Sequence, residues 1–190
     1  MHVIPRRRFR LATLAALAIA VSVTALYAAN RPVVHDQINA WQEERAEAKQ
    51  ARKQTAIEEL EQKILALVNA ERGRSGASAL KPDTRLQMIA RAHSQYMADE
   101  RFFSHYTRTG LDPTARAREA GYNCGNGTYG VAENLYLGSG EEAVSGWLTS
   151  LGHRFAMLER SFTRGGVGVH EGLAPLPDNG PVDYVTLLLC

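Results

Sequence analysis

The chain has 190 residues, 45% of them hydrophobic and 22% charged, with a formal net charge of +2; this fits one globular domain plus an added segment and excludes two full-sized domains. Four arginines among the first ten residues supply the positive balance, and without them the remainder carries −2. A remainder with no strong charge of either sign argues against nucleic acid as a partner.

Arg6, Arg7, Arg8 and Arg10 precede nineteen uncharged residues, 11–29. A helix of that length spans roughly 28 Å, close to the hydrocarbon thickness, whereas the apolar core of a cleaved signal is about 7 to 15 residues. Cleavage after Ala29 would place Tyr27 at the −3 position, and cleavage after Ala28 would place Leu26 there; neither is a small residue. The expectation is a retained signal-anchor over 11–29, with the basic segment 1–10 in the cytoplasm and everything after Asn30 across the membrane. The domain would then lie in the periplasm or outside the cell, and would be secreted if the anchor were cut.

Residues 35–63 are dense in Glu, Lys, Arg, Gln and Ala and hold neither Gly nor Pro, which predicts one solvated helix. A helical stalk over 30–60 and a domain over 61–190 follow. Ile57, Leu60, Ile64 and Leu67 repeat at heptad spacing, the pattern of a stalk homodimer; the competing reading puts Ile64, Leu65, Leu67 and Val68 on the inner face of the domain's first helix. That helix is expected to stop at Arg72-Gly73, with Ser75-Gly76 as a turn.

Pro82-Asp83-Thr84 signals a second helix whose apolar face carries Leu86, Ile89, Ala90, His93, Tyr96 and Met97. His93, inside that stripe, reads as a satisfied core residue. Asp112-Pro113-Thr114 opens a third helix through Ala120, and 121–130 is a Gly- and Asn-rich loop pinned by Cys124. Residues 131–137, 166–170 and 184–190 are the predicted strands, with helical pieces at 141–150 and 153–158. The order lacks regular strand–helix alternation and gives an α+β fold.

Cys124 and Cys190 are the two cysteines; in an oxidising compartment the expectation is a disulfide, the alternative being two buried thiols. Asn126-Gly127-Thr128 matches a glycosylation acceptor by a pattern too short to carry weight.

Three segments hold chemistry: Phe102-Phe103-Ser104-His105, Ala132-Glu133-Asn134, and Trp147 to Arg154. Two histidines and a carboxylate suit a divalent metal with open positions or a general base acting on water. Their spacing alone does not bring them together. Glu141 and Glu142 sit where acidic residues favour a helix start, and Tyr106 and Tyr136 are expected to pack.

Order and surroundings add more. Leu67-Val68-Asn69-Ala70-Glu71-Arg72, Ala92-His93-Ser94, Phe102-Phe103-Ser104-His105, Ala132-Glu133-Asn134-Leu135, Trp147-Leu148-Thr149-Ser150 with Gly152-His153-Arg154, and Gly166-Val167-Gly168-Val169 follow one another as they do in the CAP superfamily (SCP-like; cysteine-rich secretory protein, antigen 5, pathogenesis-related 1). The chain resembles its short bacterial form across nearly all of 64–190.

The resemblance implies a three-layer α-β-α sandwich whose cleft unites His105, Glu133 and His153. Many animal members carry a further acidic residue just after the Trp segment; here that position is Ser150. Two imidazoles, His105 and His153, with one carboxylate would hold zinc or magnesium loosely, with water in the open positions. Ser150, Asn134 and Arg154 are the candidate ligand-binding neighbours, Arg154 either positioning an anionic ligand or pairing with a surface carboxylate.

Three functions remain in view. The first is an envelope module that binds a lipid or cell-wall fragment at the His/Glu cleft. The second is a hydrolase in which His105 and His153, oriented by Glu133, activate water with or without a metal. The third is a structural adaptor dimerising through the stalk. No reaction is fixed by the fold, and neither Gly-x-Ser-x-Gly nor His-Glu-x-x-His occurs.

Overall fold

The computed structural model describes residues 8–125, 130–175, 177–178 and 180–190, with side chains described from residue 34. Helix α1 runs Arg8–Arg74, and no Gly or Pro between 33 and 72 interrupts its ladder. The expected span over 11–29 depends on side chains outside those described, and among the described residues no helix is long and apolar enough to cross a membrane. The Asn126-Gly127-Thr128 motif also lies outside the described residues.

The chain divides into two units, Met1–Lys53 and Gln54–Cys190. Throughout 34–53 every residue is exposed, and the guanidinium of Arg45 lies 4.5 Å from the centroid of the Trp41 ring. In the second unit Ile64 and Val68 are buried, with Ile57 and Leu60 packed against the same cluster, so most of the heptad faces its own domain. Leu67 differs from the inner-face reading and is exposed. Past Arg72 the helix continues two residues beyond its expected stop. The Arg72 guanidinium, fully buried, donates to the carbonyls of Ser78, Met157, Glu159 and Phe162, which staples the helix end to three later segments.

After α1 come strand β1 (Lys81–Pro82), helix α2 (Thr84–Asp99), helix α3 (Pro113–Glu119), strand β2 (Ala132–Gly138), a 3-10 turn at Gly140–Glu142, helices α4 (Ala143–Thr149) and α5 (Leu151–Leu158), then strands β3 (Arg164–Leu173) and β4 (Pro181–Leu189). The two-residue β1, invisible to any periodicity, pairs parallel to β3. Asp83 caps α2 by accepting from the backbone N–H groups of Arg85 and Leu86, and Asp112 caps α3 through Ala115.

The sheet order is β1-β3-β4-β2, with both long pairings antiparallel. Alternation sends Val167, Val169, Val185 and Leu187 to one face, where they pack with Ile64, Val68, Trp147 and Met157. Leu188 packs on the opposite face with Leu86, Ile89, Ala90 and Ala117. The result is a sheet with α1, α4 and α5 on one side and α2 and α3 on the other. Gly166 and Gly168 make the second contact possible, because a Cβ at either would stand 2.2 or 2.1 Å from backbone nitrogens of α2.

Cys124 and Cys190 form a disulfide, Cα–Cα 5.4 Å. It ties the loop before β2 to the chain end beside β4 and closes a 66-residue separation, for which chain entropy gives about 4 kcal/mol.

Candidate functional site

β2 is an edge strand with β4 as its one neighbour in the sheet, and its successive residues serve opposite layers. Glu133 and Asn134 are consecutive, so one reaches toward the layer of α2 and α3 and the other toward that of α4 and α5. This alternation is why a Glu-Asn pair on an edge strand can organise groups from both sides.

On the first side stands His105, in the segment between α2 and α3. Its Nδ1–H donates to Glu133 Oε1 at 2.8 Å; the imidazole is 44% exposed and the carboxylate 1%. The other carboxylate oxygen accepts from Arg116 of α3, whose side chain is only 9% exposed. Arg116 also donates to the carbonyls of His105, at 2.5 Å, and Leu111. Beneath the loop, His93 donates from Nε2 to the Ser104 carbonyl at 3.0 Å, while its Nδ1 is buried without a partner. Burial foremost, with Arg116 and His105 adding to it against the opposing charge of Glu133, holds the His93 imidazole below its ordinary pKa, in the neutral form.

On the second side Asn134 is fully buried and donates to the His153 carbonyl at 2.8 Å. Its amide N–H is spent on the main chain of α5, while its Oδ1 is buried without a partner among the described residues. His153 is half-buried, its ring 6.4 Å from that of His105, centroid to centroid, and tilted by 50°. Burial, then the nearby His105, lowers its pKa. Ser150 is the N-cap residue of α5, with no side-chain capping bond, and Arg154 is exposed on that helix, lining a shallow concavity with Leu151 and Phe155.

The structure therefore brings His105, Glu133 and His153 to one edge, with Asn134 beneath His153. Glu141 pairs with Lys63 and Glu142 accepts from Tyr136, so neither supplies the fourth carboxylate. Tyr136 packs against the core, but Tyr106 is 58% exposed, contrary to its expected packing role: it follows His105 in a segment whose inward contacts are made by its neighbours. Sequence reading missed Arg116, whose partners at the site, His105 and Glu133, lie 11 and 17 residues away with no spacing to announce them.

Glu133 is not free to ligate a divalent cation. Both oxygens of Glu133 are taken, one by His105 and one by a buried guanidinium that already balances the charge. Among the described residues no group of three or more His, Cys, Asp or Glu side chains is arranged to hold a metal. What the geometry offers is an imidazole whose Nδ1–H is fixed on a carboxylate, with Nε2 left unoccupied by that bond, beside a second imidazole whose pKa burial lowers.

The uncharacterized protein YkwD of Bacillus subtilis strain 168 is 36% identical over 120 residues, covering 62% of this chain and 45% of that protein. The uncharacterized membrane protein YlbC of the same organism is 34% identical over 109 residues, covering 57% and 31%. The chain thus spans less than half the length of either relative. Among solved structures, an extracellular protein of Bacillus anthracis containing an SCP domain is 27% identical with a TM-score of 0.55, covering 70% of this chain and 41% of the other. An outer surface protein of Borrelia burgdorferi shares the fold at 20% identity and a TM-score of 0.56, covering 69% and 91%. The model of the cysteine-rich secretory protein family, CAP, matches residues 65–174, more than half of the sequence, and the chain belongs to that family.

Proposed function

We propose that this chain is an extracytoplasmic CAP module, held at the membrane by residues 11–29 and raised on the helix of 30–60, that binds an envelope ligand in the cleft between His105 and His153. One relative is named a membrane protein and one similar structure is of an extracellular protein; a disulfide suits the oxidising side of a membrane. The observation that carries the binding reading is the 2.8 Å bond from His105 to Glu133. It holds a half-exposed imidazole in one orientation at a cost, since a buried carboxylate and a buried arginine must be kept together to do it.

The test is a titration of the full chain, in detergent micelles and labelled with 15N-histidine, with soluble peptidoglycan fragments and separately with short-chain phospholipid. Saturable shifts at both His105 and His153 with one probe are expected, lost in His105→Ala. Unchanged spectra with both probes would reject the reading.

The same bond favours a second reading. An imidazole whose Nδ1–H is fixed on Glu133 has Nε2 free to take a proton from water, with the neutral His153 placed to orient the attacked group. This is a hydrolase without a metal. Turnover of a peptidoglycan or lipid substrate, followed by mass spectrometry, must vanish in His105→Ala; turnover retained there would exclude it.

A further inference from the structure

We propose that Arg116 is the positioning residue of the cleft: its guanidinium fixes both the main chain of His105 and the carboxylate that fixes the His105 ring, and so sets which imidazole nitrogen faces the ligand. The proposal deepens the cleft reading above and rests on it for its functional weight.

The contacts of Arg116, Glu133 and His105 close on themselves. From Arg116 one nitrogen donates to the His105 carbonyl and the other to Glu133 Oε2. From Glu133 the remaining oxygen accepts the His105 Nδ1–H at 2.8 Å. The path runs from guanidinium to carboxylate to imidazole, along the His105 side chain to its own carbonyl, and back to the guanidinium. Each bond in this ring restrains the others. The backbone of His105 cannot move away without breaking the arginine contact, and its ring cannot flip without leaving a carboxylate oxygen 1% exposed and unpaired.

Glu133 by itself would not achieve this. A carboxylate has two equivalent oxygens, and a buried one with a single histidine partner could rock between them. With Arg116 on Oε2, Oε1 alone remains for Nδ1. Arginine suits the task because its planar fork addresses a carboxylate and a carbonyl together, whereas a lysine ammonium is a point charge on a flexible stem. Two outer struts steady the ring: Arg116 reaches the Leu111 carbonyl, and His93 holds the carbonyl of Ser104, the residue before His105.

The experiment reads the tautomer directly. The full chain labelled with 15N-histidine is placed in detergent micelles above the imidazole titration range, and long-range proton–nitrogen correlations are recorded without ligand, with His105 assigned through His105→Gln. The native chain is expected to give His105 as one tautomer, protonated at Nδ1. Arg116→Lys, which keeps the charge and loses the fork, and Arg116→Gln, which loses both, are expected to give exchanging tautomers. Retention of the single Nδ1–H tautomer in a folded Arg116→Lys chain would overturn the proposal. An arginine serving stability alone would lower the melting temperature and leave the tautomer as it was.

A second measurement needs no variant. In the native chain the terminal nitrogens of Arg116 are expected as separate, slowly exchanging proton signals, and one averaged, fast-exchanging signal would overturn the proposal equally. Because no ligand is present, a cleft that failed to bind any envelope probe would leave both readouts intact, and the two ideas fail separately.

Discussion

The sheet has two edges, and a buried glutamate stands at each. Glu61 of α1 is at the edge where β1 ends and β3 runs on unpaired; its carboxylate, 1% exposed, accepts from Arg91, Gln87 and the backbone N–H of Val169. Glu133 of β2 is at the other edge, equally buried, and accepts from Arg116 and His105. The charge arrangement is nearly the same, a carboxylate against an arginine. The donors that complete it differ. Glu61 spends its remaining capacity on a backbone amide and a side-chain amide that do not titrate, so it locks α1 and α2 to the strand. Glu133 spends its own on a half-exposed imidazole, so the cost of burying it is returned as orientation of a group that meets solvent. Burial and pairing by themselves do not mark a site; the nature of the last donor does.

Truncation should separate the two edges. Glu133→Ala leaves Arg116, at 9% exposure, without an anion, and the expected loss is about 3–5 kcal/mol of folding stability. Glu61→Ala leaves Arg91, one-third exposed, able to turn to water, so its cost comes mainly from the orphaned Val169 amide and should be about 2–3 kcal/mol. Denaturant midpoints of the two variants check the order. A Glu61 variant that proved the more damaging would mean that the free edge of β3, not the arginine, decides the cost. Ligand-induced shifts at His105 should survive Glu61→Gln.

Much of this architecture can be read in the chain, for identifiable reasons. Caps at Asp83 and Asp112 are local, and both helices begin where those residues place them. The three long strands are legible as runs of β-branched and aromatic residues; β3 and β4 are longer in the sheet than expected, and β2 is shifted by one residue. Strand β1 is not, since two residues carry no periodicity and its pairing comes wholly from tertiary contact with β3. His105, Glu133 and His153 are legible through the family resemblance and not through their spacing, because an edge strand unites layers that are distant in sequence. Arg116 is invisible for the opposite reason: in a short polar helix, Pro113–Glu119, one arginine looks like any other solvated charge. Leu67 and Tyr106 show the same limit from the exposed side, apolar bodies left at the surface because neighbours fill the inward positions.

Acidification should weaken the Glu133 edge in particular. His93 and His153 are both held below the ordinary imidazole value of 6.5, chiefly by burial. As pH falls from about 6.5 toward their lowered values, the unfolded chain binds protons that the folded chain refuses, so stability falls; above that window the contribution is complete and flat. The slope approaches at most about 1.4 kcal/mol per pH unit for each histidine, and His93, the more deeply buried, should carry most of it. His93→Gln should flatten the dependence of the thermal midpoint on pH, whereas Glu61→Gln should leave its shape unchanged.

The smallest stability change belongs to the residue nearest solvent. His153 is half-buried, and its anchoring bond runs from Asn134 to its backbone carbonyl, so His153→Ala keeps that bond and should shift stability by about 0.5 kcal/mol or less. The same change should abolish ligand-induced shifts at His105 in the micelle titration. The pairing of a silent stability effect with lost binding is what separates a presented group from a structural one, as Glu133 is separated from Glu61. If His153→Ala instead cost as much as Glu133→Ala, the second imidazole would be part of the fold's support, and the cleft would be reduced to His105 alone.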